Sequence, residues 1–220
     1  MGRLGKMGKT SLVYLIPRFY DADSGNILID GKDIRGYKLS DLRHKIGLVL
    51  QDVFIFTGTL KDNIAFSKPD ASIEEIESVA KMAKIHDFIK SLPEGYNTPV
   101  GERGITLSGG QRQRITIARS LLTKPKILIL DDALSFVDAK TEDEIQQAIE
   151  EAMKGKTSFI IAQRLSTIKN ADRIMVLDNG EIVEFGTHNE LMAKDTVYKR
   201  IYETQFLEKW SERALKAGAK

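Results

Sequence analysis

Leu107-Ser108-Gly109-Gly110-Gln111, followed directly by Arg112-Gln113-Arg114-Ile115, is the stretch on which the reading of this chain turns. Two adjacent glycines let a backbone approach a ligand closely, because neither carries a Cβ. The serine ahead of them is a preferred helix N-cap, and an amphipathic segment that alternates Arg with apolar residues follows. If that segment is helical, Ser108 caps it and its free N–H groups point at whatever lies in front. A terminus of this kind is a ready anion site, and phosphate is the usual guest. Residues 107–111 therefore read as a helix N-terminus built to meet phosphate.

The chain has 220 residues, enough for one sizeable domain or one core with a subdomain. Its hydrophobic content of 42% and charged content of 29% are ordinary for a globular protein. With 33 Lys+Arg against 31 Asp+Glu the formal net charge is +2, so bulk electrostatics favours neither nucleic acid nor an anionic membrane. The absence of cysteine excludes disulfides, thiolate metal sites and cysteine nucleophiles, and is compatible with a cytosolic setting. The longest uncharged apolar runs, such as residues 53–60, fall far short of the roughly 18 residues that span a bilayer. No apolar signal core opens the sequence, and no membrane span is expected within it. The histidines, His44, His86 and His188, are scattered without metal-ligand spacing and read as surface or capping residues.

Outward from the central stretch, the N-terminal Gly8-Lys9-Thr10-Ser11 runs into the apolar Leu12-Val13-Tyr14-Leu15-Ile16. This is the back half of a phosphate-binding loop feeding a helix, with Lys9 reaching terminal phosphates and the Thr10 hydroxyl binding Mg²⁺. The front half departs from the pattern, with Arg3 and Lys6 where glycines belong and Gly2 and Gly5 out of register; a Gly/Lys-rich disordered tail is the competing reading. Residues 25–32 read as a strand ending in an Asp-Gly turn, Ser40–Arg43 as a capped short helix, and Ile46–Leu50 as a buried strand leaving on Gln51. Residues 72–92 have a helical stripe of Ile73, Ile76, Val79, Ala80, Ala83 and Phe88 behind a Ser72/Glu75 capping box. Thr98-Pro99-Val100-Gly101-Glu102-Arg103-Gly104 is turn-rich, as a plain surface connection would be. Ile127–Leu130 is apolar throughout and suits a sheet covered on both faces; Asp131 closes it where α/β sheets place ligands, and a second strand with a polar exit argues against a mere helix-capping role. An amphipathic helix over 141–153, a buried strand over 157–162 leaving on Gln163, a hairpin over 173–184 on an Asn-Gly turn, and a short helix capped near Thr187 follow. A final helix starts at Thr196.

Taken together, these segments resemble the nucleotide-binding domain of an ATP-binding-cassette (ABC) exporter of the multidrug/lipid type, over roughly residues 5 to 195. The order carries the resemblance: phosphate loop, a Q-loop at Gln51, the exporter-type T-x-V-G-E-x-G loop, LSGGQ, a Walker B aspartate at Asp131, a D-loop at 135–138, and a switch position at 163 in Gln-Arg-Leu-Ser-Thr. It implies an α/β fold: a P-loop NTPase (RecA-like) core with an inserted α-helical subdomain of the ABC ATPase type. The expected division is one domain over 1–220, with 1–52 and 121–205 as core, 53–120 as the helical signature subdomain and 206–220 as a C-terminal helix and tail. The cofactors implied are ATP and Mg²⁺, the metal held through Thr10, Gln51 and Asp131. The resemblance makes Gly5, Gly8, Lys9, Thr10, Ser11, Leu107, Ser108, Gly109, Gly110, Gln111 and Asp138 nucleotide-binding; in this family two domains sandwich two ATP molecules head to tail, each ATP between one domain's phosphate loop and the other's signature. The implied partners are a second ABC nucleotide-binding domain, in a hetero- or homodimer, and the transmembrane domains of an exporter, with no nucleic acid. Such a domain works at the cytoplasmic face of the plasma (inner) membrane.

Three departures sharpen the expectation. Asp132 stands where the family has the glutamate that orients the attacking water, and a displacement of about 1 Å can cost roughly a hundredfold in rate. Gln163 replaces the switch histidine and cannot titrate as an imidazole does. This pairing, beside an intact LSGGQ, resembles the degenerate-site subunit of bacterial heterodimeric exporters. The resemblance also places an antiparallel β part and the strand feeding the loop ahead of residue 1. The chain is therefore read as N-terminally truncated, with the antiparallel part largely missing and apolar neighbours exposed. The alternatives are a homodimeric exporter ATPase with Asp132 as base, a soluble ABC ATPase of the DNA-repair or translation kind, and a non-functional remnant; the exporter-type loop and the lack of a long coiled coil disfavour the soluble ATPase.

Overall fold

A computed structural model describes residues 8–101, 104–132, 139–162 and 168–205. The chain divides into two compact units, Leu12–Ile161 and a second one made of Met1–Ser11 with Ala162–Lys220.

The larger unit is built on a parallel three-stranded sheet in the order β3 (Ile46–Val49), β6 (Ile127–Asp131), β7 (Thr157–Ile161). β6 lies in the middle and is buried at every position, as its unbroken apolar run requires. Its side chains alternate between two cores. Leu128 and Leu130 join Val49 and the helical side, whereas Ile127 and Ile129 join Val13, Ile34, Leu42 and Ile46 on the opposite face. The register Val49↔Leu130, Leu130↔Ile160 brings the carboxyl ends of all three strands out together. β3 sits close under the end of the helix Gly109–Leu121 because Gly47 has no side chain: a Cβ there would lie 2.9 Å from the Ser120 carbonyl and from Pro125. β7 corrects the expectation of a buried strand. Among the described residues it pairs with β6 alone, and Phe159 is 38% exposed.

The helical side comprises α3 (Leu60–Ala65), α4 (Ile73–Met82), α5 (His86–Ser91), α6 (Gly109–Leu121) and α7 (Ala139–Met153). The single helix expected over 72–92 is two. The chain reverses at Lys84, which takes the left-handed conformation (φ 55°), while the Ile85 N–H donates to the Ala80 carbonyl at 2.9 Å. This is a helix-ending motif, and it buries Ile85 and Ile89 completely, which a straight continuation would not do. The Ser72/Glu75 capping box is present as expected. Thr98–Gly104 is more than a surface connection, for β5 (Pro99–Val100) pairs with β4 (Gly58–Thr59) and ties that loop to the segment after Gln51.

Two smaller expectations change. The strand expected over 25–32 is reduced to β1 (Leu28–Ile29), which turns at Asp30-Gly31 onto β2 (Lys32–Asp33). Ser40 is not a cap: α2 (Leu39–His44) starts behind Lys38 with no side-chain cap, and the Ser40 hydroxyl instead bonds to Asp41.

In the smaller unit β8 (Ile174–Asp178) and β9 (Glu181–Gly186) form the expected hairpin. Asn179 and Gly180 both have positive φ (49° and 84°), the conformation that a two-residue hairpin turn demands. α8 (His188–Met192) is boxed by Thr187 and Glu190, and residues 197–205 are helical with the Glu184 carboxylate accepting the Val197 N–H at 2.7 Å.

Candidate functional site

The central stretch forms the terminus its residues call for. Ser108 is extended and caps α6: its hydroxyl accepts the Gln111 N–H at 3.2 Å, and the Gln111 side-chain oxygen accepts the Ser108 N–H at 2.8 Å. Leu107 is buried beneath, Gly110 is buried, Gly109 and Gln111 are half-buried, and Ser108 is exposed. The cap engages the Ser108 and Gln111 N–H groups. Those of Gly109 and Gly110, in the first turn, have no intrahelical acceptor and, among the described residues, no other one.

Comparison with the other capping boxes gives this one its meaning. α3, α4 and α8 close theirs with Asp62, Glu75 and Glu190, whose carboxylates are held below the usual range by the hydrogen bonds of those boxes and, for Glu75, first by Lys68. α6 closes the same geometry with a neutral amide and has no acidic residue in its first turn. The positive end of its dipole is therefore left uncompensated, as a site for an external anion requires.

A second group of candidate residues meets at the end of the sheet. Asp131 is the last residue of β6 and is 3% exposed; Asp132 follows at 7%. Because β3 and β6 run parallel with Val49 opposite Leu130, the residues two further along, Gln51 and Asp132, emerge side by side. The Gln51 Nε2 donates to the Asp132 Oδ2 at 3.5 Å, a long hydrogen bond. Asp132 adopts φ 46°, a left-handed conformation that costs a non-glycine residue on the order of 1 kcal/mol and that Asp tolerates better than most. Its N–H donates to the Ile161 carbonyl at 2.9 Å, which ties the turn to β7.

Gly8 takes φ +85° immediately before α1 (Lys9–Tyr14), so Gly8-Lys9-Thr10-Ser11 is a left-handed glycine followed by the first turn of a helix. Lys9 is half-buried, while Thr10 and Ser11 are exposed. Further along α1, Val13 packs in the core with Ile127 and Ile129. Tyr14 is raised in pKa by burial first, then by the charge of Asp131, with Tyr20 and Asp52 contributing. Gly5, Asp138 and Gln163 lie outside the described residues, as do Arg3 and Lys6.

The donor types fit the groups implied. Hydroxyl, carboxylate and amide oxygens at Thr10, Asp131 and Gln51 are hard ligands of the kind Mg²⁺ takes, usually one or two from protein with phosphate and water completing the shell. Among the described residues no cluster of three or more His, Asp or Glu forms a protein-only metal site, and His86 and His188 instead bond to Tyr96 and Tyr198 at 2.8 Å.

Sequence reasoning passed over Arg119. Its guanidinium donates to the Asn63 carbonyl at 2.8 Å and to the Phe54 carbonyl at 3.1 Å, and burial lowers its pKa. Asn63 in turn holds both the N–H and the carbonyl of Phe56 at 2.8 Å. The segment after Gln51 is thus fastened to α6. An arginine on a helix otherwise lined by Ile115, Ala118 and Leu122 was the signal available.

Comparison with known proteins agrees with this geometry. A family model described as ABC transporter matches residues 1–135. YgaD of Bacillus subtilis (strain 168), named as a multidrug export ATP-binding/permease protein, is 54% identical over 200 residues, which is 91% of this chain and 34% of that protein. A protein of Staphylococcus aureus (strain NCTC 8325 / PS 47) with the same descriptive name is 53% identical over 200 residues, 91% of this chain and 35% of its own length. Among solved structures, a bacterial Atm1-family ABC exporter with ATP bound matches with a TM-score of 0.83 and 44% identity, covering 90% of this chain and 35% of that one. The chain spans about a third of the length of the curated relatives it matches.

Proposed function

Because this chain belongs to the ABC transporter family, as an ATP-binding domain of exporter type, we propose that it binds ATP with Mg²⁺ but turns it over weakly at its own site. In this reading its LSGGQ segment completes the ATP site of a second nucleotide-binding domain. Export is driven through transmembrane domains at the cytoplasmic face of the membrane. Within the domain, residues 53–120 are the helical arm that carries the signature, and 1–52 with 121–205 are the core. Gly8, Lys9, Thr10 and Ser11 hold phosphates, with Gly5 and Asp138 assisting; Thr10, Asp131 and Gln51 hold the metal. Asp132 and Gln163 occupy the positions of base and switch.

The observation that carries this reading is a contrast. The terminus at Ser108–Gln111 is fully capped yet electrostatically open, whereas Asp132, one methylene shorter than glutamate, has its carboxylate near Gln51. The chemistry needed at position 132 is a carboxylate that reaches a water in line with the terminal phosphate. A group displaced by about 1 Å loses roughly a hundredfold.

The test is turnover at the chain's own site in the intact transporter. Asp132→Glu combined with Gln163→His raises it if the site is degenerate; unchanged ATPase activity in that double variant rejects the degenerate role. A homodimeric ATPase with Asp132 as base is the competing reading, favoured by the presence of a buried carboxylate at the end of β6. ATP hydrolysis by the purified subunit without a partner would select it.

A further inference from the structure

Arg114 lies in the second turn of α6 and is 8% exposed, beside the buried Ile115, Ile117 and Ala118. Helical side chains lean toward the N-terminus, so its guanidinium lies back along the first turn, where Nε donates to the Gly110 carbonyl at 3.3 Å. Nη1 then reaches two other elements: the Lys84 carbonyl at 2.8 Å, in the left-handed turn between α4 and α5, and the Glu144 carboxylate of α7 at 2.5 Å. One side chain thus joins the signature turn, the α4–α5 junction and the helix that begins directly after Asp138.

Stability alone does not account for an arginine here. A cation near a helix N-terminus opposes the dipole by about 0.3–1 kcal/mol. A buried ion pair is often matched or bettered by apolar residues of the same volume, and the neighbouring positions are already apolar. Glu144 is 58% exposed, so its pairing with Arg114 adds little to folding. The fork geometry, by contrast, fixes orientation: a planar guanidinium bonded on two sides sets both the distance and the angle between the elements it joins.

We propose that Arg114 is a positioning residue for the signature. It holds the Ser108–Gly110 turn at a set pitch against α7 and adds positive potential beside the Gly109 and Gly110 N–H groups, so that the terminus meets the second domain's phosphates preformed. Glu144 supports this by holding the fork in place. The proposal rests on the reading that LSGGQ serves a second domain's ATP.

The experiment measures KM and kcat for ATP in the intact dimeric transporter with Arg114→Lys, Glu144→Gln and both together, with Ser108→Arg as control. Lysine keeps the charge but cannot hold three acceptors in one plane. Arg114→Lys is expected to raise KM five- to tenfold with kcat within twofold, and Glu144→Gln to raise KM two- to threefold. The double variant should match Arg114→Lys alone, because the two residues act through one link. A purely structural role lowers the thermal midpoint and the active fraction, hence kcat, and leaves KM in place. Wild-type KM in both single variants beside an inactive Ser108→Arg overturns the positioning role and leaves the reading of the signature standing. A fully active Ser108→Arg overturns both.

Discussion

Replacing Gln111 by Glu separates the observed task of the signature terminus, capping its helix, from the proposed one, receiving an anion. The Gln111 oxygen accepts the Ser108 N–H at 2.8 Å. A carboxylate does the same elsewhere in this chain, where Glu190 accepts the Thr187 N–H at 2.7 Å and Glu75 the Ser72 N–H at 3.3 Å. The box therefore survives the change, and the new charge stabilises the helix by about 0.3–1 kcal/mol through the dipole. A phosphate arriving at the Gly109 and Gly110 N–H groups then meets that charge. At about 6 Å and an effective dielectric of about 20, the repulsion is about 3 kcal/mol per phosphate charge. Counter-ions and water at a partly open terminus reduce this to about half, still close to tenfold in affinity. The expected result is a thermal midpoint equal to or above wild type with KM for ATP raised about tenfold in the intact dimer, the difference narrowing as ionic strength rises. An unchanged midpoint with unchanged KM would refute the claim that this terminus meets phosphate.

The remaining predictions concern the scaffold and its response to acid. Gly47→Ala places a Cβ 2.9 Å from the Ser120 carbonyl; overpacking of this kind costs about 1–3 kcal/mol, readable as a lower midpoint in denaturant. Leu128→Ala, at a fully buried site in the middle of the sheet, should cost about 2–5 kcal/mol by the same measurement. Asp62, Glu75 and Glu190 have pKa values lowered in the folded state, so their contribution is present above the unfolded carboxylate range and is lost as pH falls through the lowered folded values. Hydrogen exchange corrected for intrinsic rates should show the first turns of α3, α4 and α8 losing protection on acidification, while that of α6, closed by an amide, keeps its own; equal loss in all four would count against this assignment.

Much of the fold was legible because the informative patterns were local. The unbroken apolar run before Asp131 could only be a covered strand, and β6 is buried throughout. Ser72 with Glu75, and Asn179 with Gly180, announce a cap and a turn whose chemistry leaves little choice. Errors arose where a long-range contact decided the outcome. Nothing between Met82 and His86 marks a break, since Lys84 is an ordinary helix former; the reversal there is set by burying Ile85 and Ile89. Phe159 has the sequence of a buried strand residue but is 38% exposed, and β7, among the described residues, pairs with β6 alone. The meeting of Gln51 with Asp132, 81 residues apart, follows from parallel register, which no local pattern encodes. The ties of Arg114 and Arg119 were hidden for the same reason.

The two groups of candidate residues differ in what holds them, and this bears on the nucleotide proposed for each. The signature turn is held by its own cap, by Leu107 beneath it and by Arg114 behind it, all within one compact unit. It is preformed, so a phosphate binding there loses little to reorganisation. Asp132 is held differently, in a left-handed turn with a 3.5 Å bond to Gln51. Conversion of Asp132 to Glu extends the carboxylate by one methylene from the same Cα, with the Gln51 amide as its neighbour. If that reach is what the site lacks, Asp132→Glu alone should raise turnover at this site, and Gln51→Ala in that background should lower it again by removing the group that steadies the new carboxylate. If Gln51→Ala leaves the Glu variant unaffected, the bond between positions 51 and 132 has no part in setting the base.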